Sequence, residues 1–143
     1  KALMSKYYEL NYFKPYELVP PETHEKYGDK AIRYIDPRLI ANLNAIRDYL
    51  GVPMVINDYE WGGKRKSSGL RLPGDSYHSV YSAHSFGMAF DAVGNFDYDQ
   101  LREDIISKKE IIVPHPCRLE MDINWFHIDV MNETDRHVIT FSP

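Results

Sequence analysis

A short stretch of small and apolar residues that also carries a histidine and an aspartate constrains the fold of this chain more than any other feature. The stretch is 82–93, SAHSFGMAFDAV, in which His84 and Asp91 are seven positions apart. Because successive side chains on a strand alternate between its two faces, an odd offset would separate the pair on any single strand. Gly87 favours a turn between them. We therefore expect His84 to lie over the end of a buried strand that contains Asp91.

A second histidine and aspartate pair occurs toward the end of the sequence, in the segment NWFHIDV. His127 and Asp129 are two positions apart on a predicted strand, so both side chains point to the same face. Two neutral imidazoles and one carboxylate are a common ligand set for a catalytic Zn²⁺, which keeps a fourth position for water. Taken alone, each segment is more often a hydrogen-bonded pair in the core than a metal site, and the two segments together favour metal binding more than either does by itself.

Hydrophobic periodicity and turn residues predict an α+β domain in which a mostly antiparallel sheet is flanked by helices. One helix is indicated after Asp36, a good N-cap, with Pro37 at its first position and Gly51 just past its end. A second helix is indicated after Asp97. Residues 59–81 show no sustained period and are predicted to be a long loop, which is uncommon unless it works at a site. Short apolar or β-branched runs predict strands at 52–58, 87–93, 111–113, 117–120, 125–130 and 137–141.

The length of the chain, 143 residues, suits a single domain with one core. We expect this domain to span residues 1–143, with residues 1–35, which are rich in Tyr and Pro, packed on it as an irregular arm. The single cysteine, Cys117, cannot form an internal disulfide and is expected to be a small buried hydrophobic residue.

The charge distribution indicates which partners to expect. The net charge is -4 and Lys and Arg are dispersed, which argues against a nucleic-acid partner. The local basic patch at residues 64–66 is predicted to be a solvated loop. Since no apolar run reaches the length of a membrane span, no membrane partner is expected. No signal peptide is recognisable, and the sequence does not fix a cellular location.

The histidine motifs also carry a resemblance to a known family. The pattern S-x-H-x-x-G-x-A-x-D at 82–91, followed by W-x-H-x-D at 125–129, resembles the zinc D-alanyl-D-alanine peptidase family. That family includes D-Ala-D-Ala carboxypeptidases and dipeptidases, L-alanyl-D-glutamate endolysins and the hedgehog-like fold. The segment SGLR at 68–71 is similar to the family's segment with an active-site arginine, while YFKPYEL and GVPMVIND resemble small phage and prophage-type members. The resemblance extends from about residue 12 to residue 130.

The resemblance implies a zinc peptidase that hydrolyses peptide bonds in the peptide stems of bacterial peptidoglycan, with a metal-activated water as nucleophile. His84, Asp91 and His127 would be the ligands of Zn²⁺. Arg71 would stabilise the negative charge on the carbonyl oxygen, and Asp129 would orient a ligand imidazole.

The remaining motif positions and the biological setting are implied in the same way. Ser82 and Trp125 are expected beside the metal ligands or the substrate, and Ser82 would alternatively cap the turn. The fold would be hedgehog/DD-peptidase-like. The source would be a phage or prophage, with the bacterial cell wall as the place of action.

The general base departs from the pattern of the family. Many members have a glutamate three residues before the last histidine ligand, but here that position is Asn124, which cannot accept a proton. The nearest alternative is Glu120. If residues 121–124 form a four-residue loop, Glu120 pairs across from Trp125 and shares a face with His127.

The same register pairs Arg118 with His127, which would bring Arg118 near the metal, while Asp122 is expected to be exposed in the loop. Asn124 keeps a second hypothesis open, a zinc-binding but catalytically inactive structural or binding module, associated with a phage particle. A third hypothesis is a module that binds a carbohydrate or protein partner without catalysis.

Overall fold

The computed structural model describes residues 4–143 and shows an α+β structure built around a four-stranded sheet. The helices are α1 (Met4–Tyr7), α2 (Pro21–Tyr27), α3 (Pro37–Leu50) and α4 (Tyr98–Lys108). The strands are β1 (Ala89–Ala92), β2 (Cys117–Glu120), β3 (Phe126–Asp129) and β4 (Val138–Phe141). Short 3-10 helices lie at Pro15–Glu17, Gly28–Tyr34, Tyr59–Trp61, Ala83–Phe86 and Lys109–Ile111.

The order of strands in the sheet is β1-β3-β2-β4. β3 pairs antiparallel with both β1 and β2, whereas β4 runs parallel to β2. The α+β class is therefore confirmed, and the sheet itself is mixed. The predicted sheet did not include a parallel edge strand. The direction of β4 depends on the path of residues 130–137, and no local sequence pattern indicates that path.

Both predicted helices are confirmed, with the expected caps. The side chain of Asp36 accepts a hydrogen bond from the backbone N–H of Arg38 at the start of α3, and Gly51 ends that helix in the left-handed conformation. Asp97 caps α4 by accepting from the backbone N–H of Gln100.

Two predicted strands are absent from the described part of the chain. Residues 52–58 form only a single bridge, between Val55 and Val93, and residues 111–113 begin with the last residue of a 3-10 helix, Ile111. Ile56 and Val113 are nonetheless fully buried. A short apolar run predicts burial reliably, but burial without a neighbouring strand to bond with does not produce a strand.

The amino-terminal arm is more regular than expected. Residues 1–3 lie outside the described residues, and the rest of the arm contains α1, α2 and two 3-10 helices. Pro15 and Pro21 occupy first helical positions, where a missing N–H costs nothing. The arm also contributes to the core through Phe13, Leu18, Val19, Ala31, Ile32 and Ile35.

The core lies between the sheet and α3 and α4 and extends to the arm. Cys117 is buried within it, as predicted, and burial raises the pKa of its thiol to about 12. Of the helices in residues 4–143, none combines the length and apolar character needed to cross a membrane.

Candidate metal centre

Three side chains from two distant parts of the sequence, His84, Asp91 and His127, meet on one face of the sheet. Asp91 on β1 pairs directly with His127 on β3, and His84 belongs to the 3-10 helix that precedes β1. One ligand atom from each residue lies within 4.8 Å of the others. The predicted juxtaposition is therefore present, and the group could hold a metal ion.

The orientation of His84 is set by its neighbours. Ser82 caps the 3-10 helix through a hydrogen bond from the backbone N–H of His84 to its hydroxyl oxygen. The Nδ1 atom of His84 lies 2.9 Å from the carbonyl oxygen of Gly69. Because a carbonyl can only accept, Nδ1 carries the proton. The lone pair of the neutral ring is then on Nε2, which lies 3.3 Å from Oδ2 of Asp91.

Both ring nitrogens of His127 face carboxylates. Its Nε2 lies 2.9 Å from Oδ2 of Asp129, and its Nδ1 lies 2.8 Å from Oδ1 of Asp91. Burial opposes a charge on this ring, but the hydrogen bonds with Asp129 and Asp91 outweigh it and raise the pKa of His127 to about 9. The two carboxylates therefore favour a positive charge here, whether a proton or a metal ion supplies it.

Asp91 is ionised for the same reason. Burial alone would raise the pKa of its carboxyl group, but hydrogen bonds from His127 and His84 and the nearby positive charge lower the pKa below its ordinary value. Asp129, which is fully buried, shows the same balance, since His127 and Arg118 lower its pKa against the effect of burial.

The three residues fit a zinc ion. Zinc bonds of about 2.0–2.2 Å place neighbouring ligand atoms of a tetrahedral site roughly 3.3 Å apart. The separation of 3.3 Å between Oδ2 of Asp91 and His84 equals that value, whereas the 2.8 Å between Oδ1 of Asp91 and His127 is a hydrogen-bond distance that would lengthen around an ion. Each imidazole also bonds an acceptor through its other nitrogen, as zinc-binding histidines usually do.

The SGLR segment, residues 68–71, is fixed between the arm and the metal centre. Three backbone hydrogen bonds hold it: Asp91 N–H to Ser68 O (2.7 Å), Leu70 N–H to Leu18 O (2.9 Å) and Arg71 N–H to His84 O (3.1 Å). A side chain on Gly69 would lie 2.2 Å from the carbonyl oxygen of Leu18, so the close approach requires glycine.

Arg71 points from this segment toward the centre. Its Nε donates to the carbonyl of Ser67 and its Nη2 donates to Oδ2 of Asp91, at 2.7 and 3.2 Å. The guanidinium is half-buried and also lies 5.9 Å from the ring centroid of Tyr77. Arg71 is thus anchored beside a candidate ligand while it lines the cleft.

The turn expected between His84 and Asp91 is present at Gly87, which has a φ of 68°. A Cβ atom there would lie 1.9 Å from the carbonyl oxygen of Tyr34, and the carbonyl of Gly87 accepts from the backbone N–H of Asp36. The turn is therefore packed against the residues that lead into α3, and both its φ and its closeness to Tyr34 require glycine.

Cross-strand pairing places four residues of the cleft side in one row. Asp91 pairs with His127, and Glu120 pairs with Phe141 on β4. The β2–β3 register, extended by one position beyond the Leu119–Ile128 pair, sets Glu120 opposite His127. The Oε1 atom of Glu120 lies 4.0 Å from Nδ1 of His127. A second row, beside the first, contains Asp129 and Arg118.

The predicted register of the β2–β3 hairpin is wrong by two residues. Arg118 lies opposite Asp129 rather than His127, so Glu120 lies opposite His127 rather than Trp125. The connection is longer than four residues and includes Asp122 in the left-handed region, with a φ of 60°. A shift of two preserves the faces, so Glu120 is still on the His127 side.

A cleft of about 780 Å³ opens over this face. Glu120 and Arg118 are half-buried in its wall, whereas Asn124 and Trp125 are exposed along it. Asp122 is exposed, as predicted, and lies within 3.1 Å of the hydroxyl of Ser142.

The basic patch at residues 64–66, predicted to be a solvated loop, also lines the cleft. Lys64 and Lys66 are exposed, but Arg65 is half-buried and donates to the backbone carbonyls of Ile56 and Asp91. No local sequence pattern indicates that Arg65 makes these contacts. The position of the patch just before the SGLR segment was the one sequence feature that could have placed it at the cleft.

Comparisons of the chain with protein-family models, with curated proteins and with solved structures found no match. The likeness of residues 82–91 and 125–129 to the zinc D-alanyl-D-alanine peptidase family therefore remains a prediction from the motif residues.

Proposed function

We propose that this protein is a zinc-dependent peptidase that hydrolyses peptide bonds in the peptide stems of bacterial peptidoglycan. The observation that carries the proposal is the position of Glu120 and Arg71, which line the same cleft as the candidate ligands His84, Asp91 and His127. Three ligands can hold a catalytic zinc ion with a position left for water, and a carboxylate and an anchored guanidinium can act as general base and as stabiliser of the developing negative charge.

The roles follow from the position of each group. Zinc held by the three ligands would lower the pKa of a bound water toward neutrality and polarise the scissile carbonyl. Glu120 would accept a proton from the attacking water and deliver it to the leaving amine. Arg71 would donate to the carbonyl oxygen as negative charge develops there, and its existing bonds to Ser67 and Asp91 reduce the reorganisation needed.

The character of the cleft supports a peptide substrate. Its volume of about 780 Å³ is within the range of ligand sites. Exposed aromatic side chains, Trp125, Tyr77 and Tyr81, line it and offer flat apolar contacts. The assignment to peptidoglycan stems rests on the resemblance of the motifs.

A second candidate function is a zinc-binding module without hydrolytic activity. Asn124 favours it, because an amide stands where many members of the resembled family have the glutamate base. The two candidates differ in whether Glu120 takes over the role of that base.

Digestion of purified peptidoglycan by the zinc-loaded protein, with product masses measured, tests the proposal. New peptide fragments that disappear in His84→Ala and Glu120→Gln support the peptidase and identify the bond. Asp122→Asn is the matched control, since it makes the same carboxylate-to-amide change in the adjoining turn. If the wild type binds zinc and yet releases no peptide from several wall types, the inactive module is correct.

A further inference from the structure

Arg118 has a set of contacts that the proposed mechanism does not use. It lies on β2 directly opposite Asp129, and its Nε and Nη2 donate to the two carboxylate oxygens at 2.8 and 3.0 Å. Its guanidinium also lies over the ring of Phe141, 4.5 Å from the centroid. The guanidinium of Arg118 is therefore held by the carboxylate of Asp129 and by the ring of Phe141.

Asp129 has no exposure to solvent, and its other hydrogen-bond partners are a candidate ligand and a backbone N–H group. Oδ2 accepts from Nε2 of His127 at 2.9 Å, and Oδ1 accepts from the backbone N–H of Met131 at 3.0 Å. A fully buried carboxylate is costly unless charge and hydrogen bonds compensate it. Among the described residues, Arg118 is the permanently charged group bonded to Asp129.

We infer that Arg118 is a positioning residue for the metal centre: its two-point grip on Asp129 fixes the carboxylate that orients His127, so that Nδ1 of His127 faces the metal. The inference rests on the metal site of the proposed function but not on hydrolysis. A bidentate arginine suits this role because it fixes the plane of a carboxylate, which a single ammonium group cannot do.

A positioning role for Arg118 and simple electrostatics predict opposite changes in zinc affinity when the arginine is removed. Removal of a nearby positive charge should by itself strengthen the binding of a dication. Loss of a group that orients a ligand histidine should weaken metal binding by about 10–100-fold. The direction of the change therefore distinguishes a positioning role from a general effect of charge.

The experiment measures zinc affinity by chelator competition, and the visible absorption of bound Co²⁺, in wild type, Arg118→Gln, Arg118→Lys, Asp129→Asn and the Arg118→Gln/Asp129→Asn double variant. Lys64→Gln is the control, because it removes an exposed cation from the wall of the same cleft. Thermal unfolding of the zinc-free proteins shows which variants fold.

The expected result is a loss of about 10–100-fold in zinc affinity for Arg118→Gln, a smaller loss for Arg118→Lys, and an altered Co²⁺ spectrum in both. In the Asp129→Asn background, Arg118→Gln should change affinity by less than about threefold, because Arg118 acts through Asp129. Lys64→Gln should leave affinity unchanged or slightly increased.

Unchanged or tighter zinc binding by Arg118→Gln would overturn the inference, as would effects of the two single variants that simply multiply in the double variant. If Arg118→Gln does not fold, Arg118→Lys decides, since wild-type affinity with a lysine contradicts a two-point grip. Failure of the wild type to bind zinc would instead contradict the proposed function itself.

Discussion

The carboxylate of Glu120 lies directly across the β2–β3 pair from His127, with Oε1 of Glu120 4.0 Å from Nδ1 of the histidine. The nitrogen that faces Glu120 is the same one that faces Asp91. A carboxylate in this position would be within reach of a water molecule at the proposed metal ion, although Glu120 lies on β2, whereas the base of the resembled family would stand at the position of Asn124.

Glu120→Gln should lower the rate of peptide hydrolysis by about 10²–10⁴-fold, because an amide cannot accept the proton of the attacking water. Zinc content should remain at one equivalent, since Glu120 is outside the ligand group. Steady-state kinetics and metal analysis on the same preparation check both points. Full activity in this variant would exclude Glu120 as the base.

Zinc should stabilise the protein by mass action. At a free zinc concentration 1,000 times the Kd, the gain is about 4 kcal/mol, which for a chain of this size corresponds to a rise of about 8–16 °C in Tm. His84→Ala should abolish the rise. His24→Ala is the control, because His24 pairs with Asp29 outside the cleft. Calorimetry with and without a chelator measures the effect, and equal shifts in the two variants would contradict the assignment of His84.

Gly87→Ala should destabilise the protein and weaken zinc binding. Its positive φ costs about 1–2 kcal/mol for any L side chain, and the added Cβ would lie 1.9 Å from the carbonyl of Tyr34, so the turn that carries His84 must move. Gly51→Ala is a matched control with a φ of 73° and nothing within 4 Å of the added atom. Urea denaturation and zinc titration of both variants compare the two effects. Equal losses would mean that the contact with Tyr34 does not matter.

Arg102→Met should loosen the β2–β3 connection. Arg102 is buried on α4, where its Nη1 donates to the carbonyl of Trp125 and its Nη2 to the carbonyl of Ile123. Each carbonyl left unsatisfied costs about 1–3 kcal/mol. The free energy of unfolding from urea denaturation measures the loss. Asp99→Asn should change little, because the partner carboxylate of Arg102 is largely exposed. If Asp99→Asn lowered the free energy of unfolding as much as Arg102→Met does, the effect would instead come from the ion pair between Arg102 and Asp99.

Local patterns were sufficient where the neighbours in sequence are also the neighbours in space. The caps of α3 and α4, the turn at Gly87 and the shared face of His127 and Asp129 all follow from residues a few positions apart. The register of the β2–β3 hairpin was not predictable in this way. It depends on the turn at Asp122 and on the hydrogen bond that Arg102 of α4 donates to the carbonyl of Ile123.

By itself, the sequence determined which residues form the candidate metal centre: a histidine seven positions before an aspartate, a second histidine two positions before another aspartate, and the small residues that let a turn form between the first pair. Only the tertiary structure decided how these groups are oriented. The carbonyl of Gly69 and the carboxylate of Asp129 select the nitrogen that each histidine presents, and Arg118 holds Asp129 from a separate strand. These contacts join residues 2 to 15 positions apart, and most of them depend on strand register and loop packing rather than on periodicity.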